Sequence, residues 1–206
     1  MAMRLFLLSV CVLVLFSYAG VAYDDHLDPN GNIRIIWEVI QWTPDGYIAS
    51  VTTNNFQNFR QIVKPGWKLS WTWAKNEVIW NMVGANTTEQ GDCSRFKGNK
   101  PLCCKKIPAV VDFLPGLPKN RKVLNCCKGG VVAALGQSAF QVTVGKAGNS
   151  SKTVRFPEHF TLLASGAGYT CSPTKIVLSN SIIFTTPDGR ILGDFYYSTR
   201  QDSSLE

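Results

Sequence analysis

Residues 67–73 read Trp-Lys-Leu-Ser-Trp-Thr-Trp, a strict alternation of large apolar and polar side chains. Successive side chains of a strand point to opposite faces. Trp67, Leu69, Trp71 and Trp73 therefore share one face, and Lys68, Ser70 and Thr72 share the other. The preceding Lys64-Pro65-Gly66 is a turn, and the same grammar runs outward in both directions. Ile33 to Trp42 is dense in Ile, Val and Trp, and Tyr47 to Thr53 alternates. Between them Thr43-Pro44-Asp45-Gly46 supplies hairpin chemistry: Pro44 presets φ, Asp45 bonds locally, and Gly46 is expected at positive φ. Further strand signals fall at Val78 to Val83, Phe140 to Val144 and Thr153 to Ala164, and a second Thr-Pro-Asp-Gly at 186–189 marks a last hairpin. From Asn86 to Gly130 the pattern gives way to a Gly-, Pro-, Lys- and Cys-rich loop, in which only Pro108 to Leu114 suggests a helical period. Short strands separated by turn signals predict an all-β, antiparallel β-sandwich with this cysteine-rich loop inserted.

The first residues are read as a targeting segment. Arg4 is followed by the apolar run Leu5 to Phe16 and by Ala19-Gly20-Val21-Ala22, the layout of a secretory signal peptide over 1–22. No later run is long and apolar enough to span a bilayer, so no transmembrane span is expected. Removing Arg4 lowers the formal net charge from +7 to +6. Of seven cysteines, Cys11 leaves with the signal; Cys93, Cys103, Cys104, Cys126, Cys127 and Cys171 remain. An oxidising compartment predicts that these six form three disulfides. Neighbours in an extended chain point to opposite sides, so each member of the pairs 103–104 and 126–127 is expected to reach a different partner. A zinc cluster requires thiolates in another spacing, so no metal is expected.

Catalytic material is scarce. His26 and His159 are the two histidines and both read as solvent-exposed, which leaves no histidine triad or metal site. Asp28-Pro-Asn-Gly-Asn32 superficially resembles a calcium loop, but Ile33 and Val39 stand where its Gly and Glu belong. No phosphate loop or dinucleotide fingerprint is present, and no cofactor is expected. The expectation is a non-enzyme.

Aromatic residues are the anomaly. All six tryptophans lie between Trp37 and Trp80. Trp37 and Trp80, embedded in apolar runs, read as core. Trp67, Trp71 and Trp73 admit two readings: one strand face of four apolar residues is the usual signature of a core, while a flat indole strip would stack sugar rings. Trp42 and Tyr47, flanking the hairpin turn, are further exposed candidates. The basic residues Arg95, Lys97, Lys100, Lys105, Lys106, Lys119, Arg121, Lys122 and Lys128 cluster in the cysteine loop. Most of this is a solvated surface, one that also attracts acidic polysaccharide or lipid headgroups. Nucleic acid is not an expected partner of a secreted chain. Asn86-Thr87-Thr88 and Asn149-Ser150-Ser151 are N-glycosylation sequons in predicted loops.

Five stretches carry a family resemblance: residues 28–56 (DPNGNIRIIWEVIQWTPDGYIASVTTNNF), 65–106 (PGWKLSWTWAKNEVIWNMVGANTTEQGDCSRFKGNKPLCCKK), 108–131, 140–148 and 157–171. From about Asp28 to Val177 the chain resembles the plant COBRA family. That resemblance implies an extracellular protein, usually held at the plasma membrane by a glycosylphosphatidylinositol anchor, that acts in cellulose microfibril deposition, oriented expansion and wall strength. It also implies a carbohydrate-binding-module or immunoglobulin-like sandwich that meets cellulose through aromatic side chains, which would here be Trp42, Tyr47, Trp67, Trp71 and Trp73. On this reading the odd-numbered residues 67–73 are partly exposed. The domain expectation is 23–177 as the COBRA-like sandwich, with loop 86–130 inside it, and 178–206 as a divergent tail. The tail carries no hydrophobic anchor signal, so a secreted, unanchored chain is expected. The leading expectation is a non-catalytic wall protein binding cellulose or a related glucan. The alternative is a basic module binding acidic pectin or the membrane surface.

Overall fold

The computed structural model describes residues 33–115, 123–164, 169–171, 173–178, 184–185, 191–192 and 197–204. Every regular element among them is a β-strand, and every strand pairing is antiparallel. The predicted signal segment, His26 and the loop cations Lys119, Arg121 and Lys122 lie outside the described residues.

The first layer is built on the hairpin β1 (Ile33–Thr43) and β2 (Gly46–Asn55), joined at Pro44-Asp45. β3 (Lys68–Thr72) belongs to the second layer, and β4 (Val78–Val83) returns to the first. β5 (Ala85–Thr87) and β6 (Ala109–Asp112) sit beside β3, whereas β7 (Gln137–Gly145) lies between β2 and β4. β8 (Glu158–Leu163) and β9 (Tyr169–Cys171) complete the second layer. β10 (Lys175–Leu178) pairs with β13 (Tyr197–Ser204), whose backbone runs between β1 and β9. β11 (Phe184–Thr185) and β12 (Ile191–Leu192) pair on either side of the second Thr-Pro-Asp-Gly. The hydrogen-bonded order is β4-β7-β2-β1-β13-β9-β8-β3-β6-β5. Its two end strands are consecutive in the chain, and the backbone passes from one layer to the other at Gly84, whose φ of 88° suits glycine.

Period-two burial assigns the inner faces. Ile33, Ile35, Trp37 and Val39 on β1, Tyr47, Ala49 and Val51 on β2, and Phe140, Val142 and Val144 on β7 face Leu69, Trp71, Val110, Phe160 and Leu162 across the sandwich. Trp37 meets Trp71 at a ring-centroid distance of 5.1 Å, Trp73 at 6.0 Å and Phe160 at 6.0 Å, while Trp67 stacks on Phe140 at 5.8 Å. Each such indole removes on the order of 200 Å² from water, roughly 5 kcal/mol of transfer free energy before entropy.

These contacts overturn the exposed strip. Trp67, Leu69, Trp71 and Trp73 are 2%, 0%, 0% and 1% exposed, and Tyr47 is fully buried. The reason is that the first layer packs on this face: Trp37 of β1 covers Trp71 and Phe140 of β7 covers Trp67, while Lys68, Ser70 and Thr72 point outward. Gly46 is also corrected. It does not adopt positive φ; a Cβ there would lie 1.9 Å from the Val144 carbonyl oxygen, so glycine is needed for room against β7. Residues 109–112, inside the expected helical period, form strand β6.

The cysteines follow the prediction in part. Cys104 bonds Cys93, eleven residues away, while Cys103 points to the other side and is a buried free thiol. Cys126 and Cys127 bond each other, contrary to the expectation of separate partners, and Cys171 is a free thiol. The extended-chain premise fails at this pair because Asn125 and Cys127 take φ of 64° and 67°. The Asp112 carboxylate accepts the N–H groups of Cys127, Lys128 and Gly130 at 2.8, 3.0 and 3.0 Å and so holds this loop. The bonded pair packs with Val123 against Val83, Phe113 and Ala139.

Candidate carbohydrate-binding face

With the inner faces occupied, the outer side of β4-β7-β2-β1 is one of two solvent-facing sheet surfaces, covered at Val83 and Ala139 by the Cys126–Cys127 pair; the other carries exposed Lys68, Thr161 and Leu163 on β3 and β8. The outward positions of β4-β7-β2-β1 are set by pairing register. Gln141 lies opposite Ser50, which lies opposite Glu38; Thr143 lies opposite Ile48; Ala139 opposite Thr52, which lies opposite Ile36. These side chains are half-buried among their sheet neighbours. The row of hydroxyl, amide, carboxylate (Glu38) and aliphatic groups offers donors and acceptors at strand spacing, which is the chemistry a flat glycan needs.

An aromatic pair closes one end of this face. Trp80 sits in the bulge where the β4–β7 register shifts between Ile79 and Asn81. The extra residue re-aims its side chain, and the indole lies over Gly145: a Cβ on Gly145 would stand 2.1 Å from Trp80 Nε1. Phe96, carried by the loop that the Cys93–Cys104 disulfide closes, meets the Trp80 ring edge to face at 5.5 Å. Lys146 Nζ lies 4.7 Å and the Arg95 guanidinium carbon 5.2 Å from the Phe96 centroid. Asp45, exposed at the hairpin turn, accepts the Lys146 N–H at 3.0 Å and locks the β7 end against the β1–β2 turn.

The residues singled out from sequence are thus dispersed. Tyr47, Trp67, Trp71 and Trp73 are core. Trp42 is half-buried, packs on Tyr47 at 6.0 Å and leans on the core from the rim. Trp80, read from sequence as core, is half-exposed on the outer face. The run Val-Ile-Trp-Asn-Met-Val shows no alternation from which its bulge could be read. Phe96 did carry a signal, as the aromatic inside Ser-Arg-Phe-Lys.

Charge is distributed by the same loops. Lys105 is engaged by Glu89 at 2.5 Å, and that contact lowers the Glu89 carboxyl and raises the Lys105 ammonium. Burial raises both free thiols, Cys103 and Cys171. Among the described residues no group of His, Cys, Asp and Glu is placed to hold a metal ion, and no helix is long and apolar enough to cross a membrane. A groove of about 480 Å³ opens elsewhere, lined by Lys152, Arg155, Glu158, His159 and Ile176 among others.

A two-layer antiparallel sandwich whose outer sheet faces meet solvent defines the class. Residues 47–194 match the model of the COBRA N-terminal domain, and the chain belongs to the COBRA family. It is 58% identical over 195 residues to COBRA-like protein 4 of Arabidopsis thaliana, covering 91% of this chain and 44% of that relative. It is 59% identical over 175 residues to COBRA-like protein 3 of Oryza sativa subsp. japonica, covering 82% and 38%. With Protein COBRA of Arabidopsis thaliana the identity is 56% over 175 residues, again covering 82% and 38%. The chain therefore spans about two fifths of the length of these curated relatives.

Proposed function

We propose that this chain is a non-catalytic, extracellular plant cell-wall protein that binds cellulose or a related glucan and takes part in microfibril organisation, wall cellulose deposition and oriented cell expansion. Membership of the COBRA family supports the wall setting. The observation that carries the binding reading is the outer face of β4-β7-β2-β1, where Ser50, Thr52, Gln141 and Thr143 lead to the half-exposed Trp80 and Phe96. Sugar rings stack their C–H faces on such aromatics while hydroxyls meet the polar rows. Asn86, exposed on the edge strand β5, and Asn149, exposed in the β7–β8 loop, are the proposed glycan acceptors. We also propose 23–177 as the COBRA-like domain of a chain that enters the secretory route, with β13 of the 178–206 segment paired to β1 and β9.

The test is adsorption of the secreted chain to microcrystalline cellulose with and without high salt. Salt-tolerant retention is expected. Trp80→Ala and Phe96→Ala should each reduce it several-fold with the thermal transition preserved, and Phe96→Ala, in a surface loop, is the safer variant for folding. Full adsorption by a folded double variant would falsify the site. Release of reducing sugar from a glucan would overturn the non-catalytic reading.

A further inference from the structure

We propose that the Phe96 end of the face binds a hexuronate residue of an acidic polysaccharide, with its carboxylate held between Arg95 and Lys146 and its ring against Trp80. Arg95 and Lys146 lie fifty-one positions apart in sequence, yet both cations converge on the one Phe96 ring, 5.2 and 4.7 Å from its centroid. The ring fixes where they stand and leaves charge-assisted donors available to an anion. The other contact of the Arg95 side chain is to neutral backbone, and the Lys146 main chain meets a carboxylate. Arg95 Nη2 donates to the Asn76 carbonyl at 3.3 Å, and the Lys146 backbone N–H goes to Asp45.

The same turn continues the line of charge. Lys106 Nζ donates to the Lys75 carbonyl at 2.7 Å, and Lys75 Nζ to the Thr153 carbonyl at 3.3 Å. Arg95, Lys75, Lys106 and Lys146 are thus tied together through the 75–76 turn and the β7–β8 loop, and among the described residues none of their side-chain nitrogens has a carboxylate within 4.0 Å. Of the acidic groups nearby, Glu77 is buried, while Asp45 and Asp92 are exposed and each accepts a backbone N–H. Asp45 takes the Lys146 N–H, Asp92 takes the Ser94 N–H at 2.9 Å, and buried Glu77 takes the Lys75 N–H at 2.6 Å. A polymer bearing regularly spaced carboxylates fits a row of cations beside an indole. A neutral glucan leaves the row unused. Lys105, by contrast, is already neutralised by Glu89.

This inference rests on the reading above in placing a wall polysaccharide on this face, and its test separates the two. The glycosylated secreted chain is titrated with polygalacturonate, with glucuronoxylan and with fully methyl-esterified polygalacturonate, in parallel with cellulose adsorption. Binding to an acidic polymer is expected, fading as salt shortens the Debye length to about 10 Å at 0.1 M. The ester should not bind. Arg95→Gln/Lys146→Gln should weaken the acid about tenfold and lower cellulose adsorption far less, and Lys105→Gln should change little. Which acid binds more tightly identifies the source of the uronate. Equal binding of acid and ester, no binding of either acid, or unchanged affinity in the double variant overturns the proposal. So does a preference for anionic phospholipid vesicles with the same sensitivity to the two variants. Loss of cellulose adsorption alone counts against the glucan reading and leaves this one standing.

Discussion

Trp37 and Trp71 cross edge to face at 5.1 Å and 74°, one from each layer, and this contact welds the sandwich at its centre. Both rings are fully buried. Trp71→Ala therefore empties a site that Trp37, Trp73 and Phe160 line, and the expected cost is about 4 kcal/mol. Urea denaturation reads it as a lower midpoint at unchanged slope. Any loss of polysaccharide adsorption in this variant reports unfolding, so Trp71 and Trp73 are unsuitable for mapping a binding face. A Trp71→Ala protein with wild-type stability would contradict the packing.

Strand positions and layer count were legible in the sequence because turn residues and period-two burial are local signals. Residues 33–42, 47–53, 67–73 and 78–83 were all placed as strands, and strands formed there. Which face of β3 meets solvent was not legible, because alternation states that two faces differ and topology decides what covers them. The resemblance to a carbohydrate-binding family points the aromatic face outward; the packing of β1 and β7 across the sandwich covers it. Trp80 shows the converse. Its exposure depends on a one-residue bulge against β7, a long-range register effect absent from any local pattern. The Cys126–Cys127 bond depends likewise on a left-handed backbone that distant Asp112 helps to hold.

Asp112 invites the second prediction. Its Oδ1 takes the Cys127 N–H, and its Oδ2 takes those of Lys128 and Gly130. Asparagine keeps one oxygen and puts an NH₂ where the other stood, so either one or two of these N–H groups must face a donor. Asp112→Asn is expected to cost about 2 kcal/mol and Asp112→Ala about 3 kcal/mol. Hydrogen exchange at 127–130 should accelerate before the main sheet does. Equal protection in the Ala variant would show that the loop holds without this carboxylate.

Tyr47 sets an alkaline limit. Burial first, and the nearby Glu77 carboxylate second, raise its phenol far above the ordinary value of 10.0, against an opposing contact from Trp37. In the folded chain the hydroxyl stays protonated at a pH where the unfolded chain releases its proton. Folding stability is thus fully present below pH 10.0 and falls as pH rises above it. Tyr47→Phe removes this proton linkage. The variant should lose stability less steeply than the parent between neutral pH and strong alkali, and overlapping alkaline unfolding curves would show that Tyr47 ionises without unfolding.

The Cys93–Cys104 bond closes the loop that presents Arg95 and Phe96 to the open face. Closing an eleven-residue separation removes chain entropy worth about 3 kcal/mol in the loop-closure account. The strands do not depend on that loop for their ladders, apart from the paired backbone of Ile79 and Cys103. Cys93→Ser/Cys104→Ser should therefore lower the unfolding free energy by no more than that amount and leave the β-sheet circular dichroism intact. Its sharper effect should fall on binding, because Phe96 loses the tether that sets its 5.5 Å approach to Trp80. Adsorption to polysaccharide is expected to drop several-fold at a temperature where the variant is fully folded, and undiminished adsorption there would remove the loop from the binding face.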